Sequence, residues 1–381
     1  MEKNNLPVGI TGCADYEKKH VRSAMEALLE QIGGLDWLQS GMTVAIKTNL
    51  VSAAAPEKAV VTHPVVLTVL TELLRERGAR VIIGDSPGGL FTENALGHNY
   101  RLSGLFMARD AGAILNMDTS SQELTHPEGK VLHRFTCTSW LLQADAIIDC
   151  CKLKTHGMMA MSANIKNMFG VIPGTMKPEY HFRFPKHMDF ADMLIDLNTC
   201  LKPVLYLTDA IVGMEGNGPT SGTPRHIGAL LASKDPYGLD LLCAHLIGLS
   251  PEQVPTIVAA AERGLGSMAL SDLQIIGDPA PYVVPDYQNI TKPDSIEFSS
   301  VVPQFALPFV RRILKARPVP EKNTCIGCEK CREICPAKAI HMQEKKPVID
   351  TKKCIRCFCC QEFCPVGAMK VHRSWLARRL S

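Results

Sequence analysis

Along the first 280 residues, short β-branched runs alternate with longer stretches whose apolar positions recur every three to four residues. The runs TVAIKTNLV (43–51), ARVIIGDS (79–86), AGAILNM (111–117), ADAIIDCCKL (144–153), PVLYLTDAIVG (203–213), HIGALLAS (226–233) and LQIIGD (273–278) predict strands. Helices are predicted over 64–78, with Pro64 in the first turn and Gly78 at the end, and over 190–201, 235–249 and 254–266. Such alternation predicts an α/β body, 1–280, with a mostly parallel sheet covered by helices.

The pattern then fades. Prolines recur at 279, 281, 285, 293, 303, 308, 318 and 320, so 281–320 reads as a Pro-rich linker along the surface. Within it FALPFVRRILKARP (305–318) is apolar and basic. Such a stretch suits a membrane interface, but Pro308 breaks the helix, which favours packing on the body. No run of eighteen apolar residues predicts a membrane span, and MEKNNLPVGITG lacks the apolar core of a secretory signal, so the cytoplasm is the expected location.

Composition changes the picture at the C-terminus. Nine of fifteen cysteines fall between Cys325 and Cys364. CIGCEKCREICP and CIRCFCCQEFCP share the spacing C-x2-C-x2-C-x3-C-P, the bacterial ferredoxin pattern, and so form an internal repeat. In that pattern the fourth cysteine of each repeat serves the other cluster. Cluster one is therefore expected on Cys325, Cys328, Cys331 and Cys364, and cluster two on Cys354, Cys357, Cys360 and Cys335. Cys359 breaks the spacing and reads as a packed thiol. Zinc also uses C-x2-C pairs, but two repeats closed by Cys-Pro favour iron–sulfur. Residues 321–371 resemble the bacterial-type two-[4Fe–4S] ferredoxin domain, a small α+β fold, which implies one-electron transfer. A basic tail, 372–381, follows.

Charge is as uneven as cysteine. Residues 311–381 carry 17 Lys and Arg against 6 Asp and Glu, while the rest carries 24 against 32. Two readings follow: the halves attract each other, or the basic end docks a redox partner protein with an acidic face.

Polar residues cluster where the predicted strands end, the rim on which open α/β sheets bind ligands. They are Lys47 and Asn49, then Asp85, then Lys152, Lys154 and His156, then Asp209, Glu215, Asn217 and Arg225. Lys166 and Asn167 lie in the segment CKLKTHGMMAMSANIKNMFGVIPG. Lysines at this rim suit an anionic small molecule carrying phosphate or carboxylate. Against that stand plainer readings: Lys152 and Lys154 as solvent-facing strand residues, Lys166 as a helix C-cap, and Glu215 and Asn217 as closure of a glycine-rich turn. His181, Arg183 and His187 are open between a metal site, anion contacts and plain surface. No dinucleotide fingerprint, P-loop, nucleophile elbow or zincin motif is present. Flavin has no single diagnostic motif, so it is neither called for nor excluded.

At VAIKTN, IGDSPGG, KLKTHGMMAMSANIKNMFGVIPG and DAIVGMEGNGPTSGTPR the body, over 6–280, resembles the domain of unknown function 362 family. The resemblance implies an iron–sulfur protein of the cytoplasm and marks Lys47, Asn49, Asp85, Lys154, His156, Lys166, Asn167, Asp209, Glu215, Asn217 and Gly218 as matched polar positions. It supplies no reaction. Where that family often has Lys-Pro-Asn, this chain has Lys47-Thr48-Asn49.

Two functions are expected to compete. In one, the clusters feed electrons to an anionic substrate or bound cofactor held by the lysines, with His156 as proton donor oriented by Asp209 or Glu215. In the other, the chain is a ferredoxin-type carrier or scaffold for a separate reductase or metal-cofactor assembly system. Nucleic acid is not an expected partner, and the oligomeric state is left open.

Overall fold

In the computed structural model, residues 6–290 and 317–372 are described. Most of the expected linker, the apolar basic stretch and the basic tail lie outside them. The strands are β1 (Val8–Gly12), β2 (Thr43–Lys47), β3 (Arg80–Gly84), β4 (Ile114–Leu115), β5 (Ser121–Thr125), β6 (Arg134–Thr138), β7 (Ala146–His156), β8 (Ala160–Ser162), β9 (Leu205–Glu215), β10 (Thr223–Ser233) and β11 (Ile275–Ile276). Nine of them form one sheet in the order β11-β1-β10-β9-β7-β2-β3-β4, with β8 paired to β7. The pairs β7–β9, β2–β7, β2–β3, β3–β4 and β1–β11 are parallel, and β9–β10, β1–β10 and β7–β8 are antiparallel. The expected α/β body with a mostly parallel sheet is present.

Four strands and several helices, the longest of them Lys18–Gln31, are additional to the expected elements. β1 is glycine-rich, β8 is only three residues long, and β5–β6 is a separate hairpin whose first strand is largely exposed, so each gives weak periodicity. The helix Lys18–Gln31 buries Val21, Ala24, Met25, Leu28 and Leu29, the single-face spacing of an amphipathic helix. The expected helices are seated by their first residues. Pro64 opens Pro64–Glu76, and Asp235 caps Pro236–Leu246 by accepting from the N–H groups of Tyr237 and Gly238 at 2.9 and 3.0 Å.

All eleven residues of β7 are buried. A central strand covered on both faces normally reads as an apolar run. Here Asp149, Lys152, Lys154 and His156 interrupt it, so their charges must be settled inside the fold.

The C-terminal lobe carries β12 (Arg317–Pro320), β13 (Ile340–Gln343), β14 (Lys346–Ile349) and β15 (Met369–His372), paired β12–β15 and β13–β14, with one-turn helices at Lys330–Glu333 and Cys359–Glu362. The cysteine repeat is also a backbone repeat. Gly327 and Arg356 share a left-handed conformation (φ 71° and 60°), as do Glu329 and Phe358 (φ 61° and 62°). The lobe's own buried core is Ile340, Cys360 and Met369, backed by Cys331, Cys335, Ile349 and Cys364.

Candidate functional site

The polar residues of the KLKTH segment lie within β7 and not on a loop beyond it. Lys152 and Lys154 are 1% and 0% exposed, so they are not solvent-facing. Burying an ammonium without a partner is costly, and each lysine is answered differently. Lys152 Nζ lies 2.5 Å from Asp209 Oδ2 and donates to Tyr16 Oη at 2.8 Å and the Val212 carbonyl at 3.1 Å. Asp209 also accepts from Tyr16 Oη at 2.8 Å and from the His63 N–H at 3.0 Å. Lys154 Nζ has only neutral partners in the hydrogen-bond network, donating to Asn49 Oδ1 at 2.6 Å and the Val60 carbonyl at 2.7 Å. Burial, reinforced by Lys166 and Lys152, pushes its pKa down to about 7.

The other expected rim residues join the same network. Lys47 pairs with Asp85 at 3.0 Å. Asn49 Nδ2 donates to Asn167 Oδ1 at 2.8 Å, and Asn167 Nδ2 to Asp149 Oδ1 at 2.7 Å. Asp85 ties the loops together by accepting from the N–H groups of Leu50 and Ser86. Asp240 anchors the turn that carries Lys166 and Asn167. It accepts from Asn164 N–H at 2.9 Å, Asn164 Nδ2 at 3.0 Å and Ile165 N–H at 3.3 Å, and burial raises its pKa to about 7.

Lys166 and Lys177 stand apart. Their Nζ atoms lie 5.1 and 5.9 Å from the centre of the Phe169 ring, and no carboxylate among the described residues lies within ion-pair distance of either. Lys177 donates to the Ser86 carbonyl. Burial lowers the pKa of both, that of Lys177 to about 8. His181 is buried, sits 5.4 Å from the Phe169 ring and stacks on Phe190 at 4.5 Å. Its Nδ1 has no hydrogen-bond partner among the described residues. Burial pushes its pKa down to about 3, so the ring is neutral.

The C-terminal lobe closes over this polar seam. His156 Nδ1 accepts from the N–H groups of Met158 and Met159, both at 3.1 Å, which leaves the ring proton of a neutral imidazole on Nε2. Nε2 lies 2.7 Å from Glu362 Oε1 in the lobe. Burial opposes charge on Glu362, but the His156 contact and the charge of Lys166 outweigh it and hold the carboxyl well below the usual range. Gln361 Nε2 donates to the carbonyls of Asn217 and Gly218 at 3.0 and 2.8 Å, and Asn217 Oδ1 accepts from Val371 N–H at 3.2 Å. A Cβ on Gly88 would stand 2.5 Å from the Phe363 ring, and one on Gly157 would press on Gln361, Phe358 and Val371.

Two cavities in the lobe are each lined by four repeat cysteines. One has Cys325, Cys328, Cys331 and Cys364, and the other Cys335, Cys354, Cys357 and Cys360 together with Cys359. Backbone N–H groups point at the sulfurs: Gly327 to Cys325 at 3.4 Å, Ala339 to Cys335 at 3.2 Å and Ala368 to Cys364 at 3.1 Å. Four thiols with N–H···S support are a donor set that fits an iron–sulfur cluster in each cavity.

A family model for a domain of unknown function, DUF362, matches residues 44–245, more than half of the chain. The chain belongs to the DUF362 family. A 4Fe-4S dicluster domain matches residues 317–365, so the lobe attached to the DUF362 body is an iron–sulfur domain suited to electron transfer. A thylakoid-associated protein of Synechocystis sp. is 29% identical over 287 residues, 74% of this chain and 87% of its own. The lactate racemase apoprotein of Thermoanaerobacterium thermosaccharolyticum aligns with TM-score 0.42 and 12% identity, covering 65% of this chain and 58% of its own. A Thermotoga maritima protein aligns with TM-score 0.33 and 12% identity, covering 55% of this chain and 54% of its own. No helix among the described residues is long and apolar enough to cross a membrane.

Within the DUF362 body, Lys47, Asn49, Asp85, Lys154 and Asn167 come together as one network. The arrangement expected around His156 differs. The carboxylate at its Nε2 is Glu362, while Asp209 is engaged by Lys152, Tyr16 and His63. Glu215 accepts from Gln288 N–H, and Arg225 pairs with Asp286 at 2.6 Å, so both brace the segment after the last helix. Asn217 serves the lobe. Tyr16, Lys177, Asp240, Gln361 and Glu362 were missed in the sequence. Gln361 and Glu362 sit between two cysteines of the second repeat, a position that draws attention to metal binding and hides their docking role.

Proposed function

We propose that this chain is an iron–sulfur oxidoreductase in which the lobe delivers electrons to an anionic small molecule or bound cofactor held in the DUF362 body. Cys325, Cys328, Cys331 and Cys364 would hold one [4Fe–4S] cluster, and Cys354, Cys357, Cys360 and Cys335 the second. When bound, such clusters supply electrons one at a time. The observation that carries the reading is the seat of the second cysteine cavity: its wall continues into Gln361 and Glu362, which bond directly to the body's His156 and its Asn217–Gly218 loop.

The chain's residues divide the work by geometry. Lys47, Lys154, Asn49 and Asn167 fix the loops beneath the lobe. Asp209 neutralises Lys152, so that lysine is a positioning residue. His156 shares its Nε2 proton with Glu362, which stands where Asp209 or Glu215 was expected, so a proton passed to the ligand would leave through that pair and not from a free ring nitrogen. Flavin finds no specific support. A cytoplasmic setting remains part of the proposal.

A carrier function is favoured by a different observation. Cys328 is exposed and Ile326 is 65% exposed beside it, so the first cavity faces outward, where an acidic redox partner can meet the basic C-terminal region. The test is anaerobic purification followed by iron analysis, with about eight irons expected for two such clusters, and identification of any small anion released on denaturation. The proposal expects a released compound that reoxidises dithionite-reduced protein and is itself converted. Protein with no resident anion, whose reduced clusters are reoxidised only by a partner protein, would make it a carrier. Zinc in place of iron would defeat both readings.

A further inference from the structure

The buried and half-buried charges beneath the lobe do not balance. Lys47 is answered by Asp85 and Lys152 by Asp209, while Glu362 accepts from the neutral ring of His156. Lys154, on neutral partners alone, remains, as do Lys166 and Lys177; the last two lie over the same aromatic ring, and the charge of Lys166 acts on Lys177. Beside them lies a neutral, buried imidazole, His181, whose Nδ1 is unpartnered among the described residues. A cation drawn out of water beside a like charge is unfavourable unless an anion joins it. Simple packing does not explain two of them.

We propose that Lys166, Lys177 and His181 form the binding site for a small dianionic oxyanion, a phosphate or a dicarboxylate. The two ammonium groups supply the charge and His181 a ring-nitrogen contact. The site moves the expected anion contacts away from Lys152, whose three donors are used inside the fold, and from Lys154, which is fully buried against Asn49 and Val60. Both lysines are partly exposed, so a small ligand can reach them. Lys166, Lys177 and His181 all lie within electrostatic range of Glu362, and Lys166 also of Cys359, which lines the second cysteine cavity. An oxyanion held here therefore lies beside the expected second cluster. The inference deepens the oxidoreductase reading and takes its biological sense from it, but phosphate and malonate are not reduced, so binding is tested independently of turnover.

The test uses anaerobically purified full-length holoprotein in chloride buffer at constant ionic strength. Titration calorimetry with inorganic phosphate and, separately, malonate is expected to show one saturable site for at least one of them, and the preferred probe names the ligand class. Lys166→Gln combined with Lys177→Gln should weaken that binding about 100-fold or more, while Lys166→Arg with Lys177→Arg retains most of it. A second measurement needs no variant. Dithionite reduction should broaden the 31P line of bound phosphate, or the 13C line of labelled malonate, and excess unlabelled competitor should relieve the broadening. Failure of both probes to bind, undiminished binding in the Gln variant, or a bound-probe line indifferent to reduction would each overturn the site. If the probes fail to bind but a released compound is still converted, the oxidoreductase reading survives and this site does not. If they bind and nothing is converted, the reverse holds.

Discussion

Asp209 is the residue on which the buried interior of β7 most depends. It faces the ammonium of Lys152, the hydroxyl of Tyr16 and the N–H of His63 at once. Removing one member of a buried pair leaves the other charge unanswered, which costs about 3–5 kcal/mol. Asp209→Asn is therefore expected to lose stability on that order in urea unfolding, and Lys152→Met combined with Asp209→Leu to recover part of it. An Asp209→Asn protein as stable as the parent would mean that Lys152 is not held by this pair. The lysines themselves were legible, because cations inside an apolar run are anomalous wherever they occur. Their partners were not. Tyr16 and Glu362 lie far from β7 in the chain and carry no local signal, and nothing in KLKTH distinguishes the lysine that is neutralised from those that are left over.

At the scale of elements, the turn and helices of residues 164–183 are pressed against the loop after β3. A Cβ on Gly174 would stand 2.0 Å from the Pro87 carbonyl oxygen and 2.8 Å from that of Gly89, backbone atoms that cannot swing aside. Gly174→Ala should cost about 1–3 kcal/mol, the usual penalty of overpacking, and lower the thermal midpoint. Gly97, in the helix Glu93–Leu102, has open space around its missing Cβ, so Gly97→Ala should raise stability by about 0.5–1 kcal/mol. Equal midpoints for the two variants would contradict this account. Elements were legible where one period dominates, as in Pro64–Glu76 and β9. They were not where the sequence is short or mixed. β8 has three residues, and β7 runs to His156 because it pairs with β8 beyond the point where its apolar pattern stops.

For the whole molecule, the lobe and the body are stabilised by different means. The body has large apolar clusters on both sides of its sheet. The lobe has Ile340, Cys360 and Met369, and several of the side chains packed around them are expected ligands. A segment with so little core relies on metal binding to fold. Oxidative removal of the clusters in the presence of a chelator should therefore abolish hydrogen-exchange protection in β13, β14 and β15 while β2 and β3 keep theirs. Retained protection in the lobe would show that its packing suffices. The two-cluster repeat was fully legible as a spacing, since ligation is local in sequence. Its seat was not, because docking depends on shape: glycines at 88 and 157 and one amide at Gln361.

The strands under that seat have one more consequence. β7, β9 and β10 each run for eleven residues, against five for β1, β2 and β3. At about 3.3 Å per residue the six extra residues amount to an overhang of about 20 Å, and Gly157, Asn217 and Gly218 at its tips are where the lobe rests. The mouth through which a parallel α/β domain ordinarily admits its ligand is thus roofed over. The lobe and the rim on which such a domain meets its ligand therefore share one edge of the sheet, so swapping or trimming the lobe alters both electron delivery and the ligand's surroundings at once.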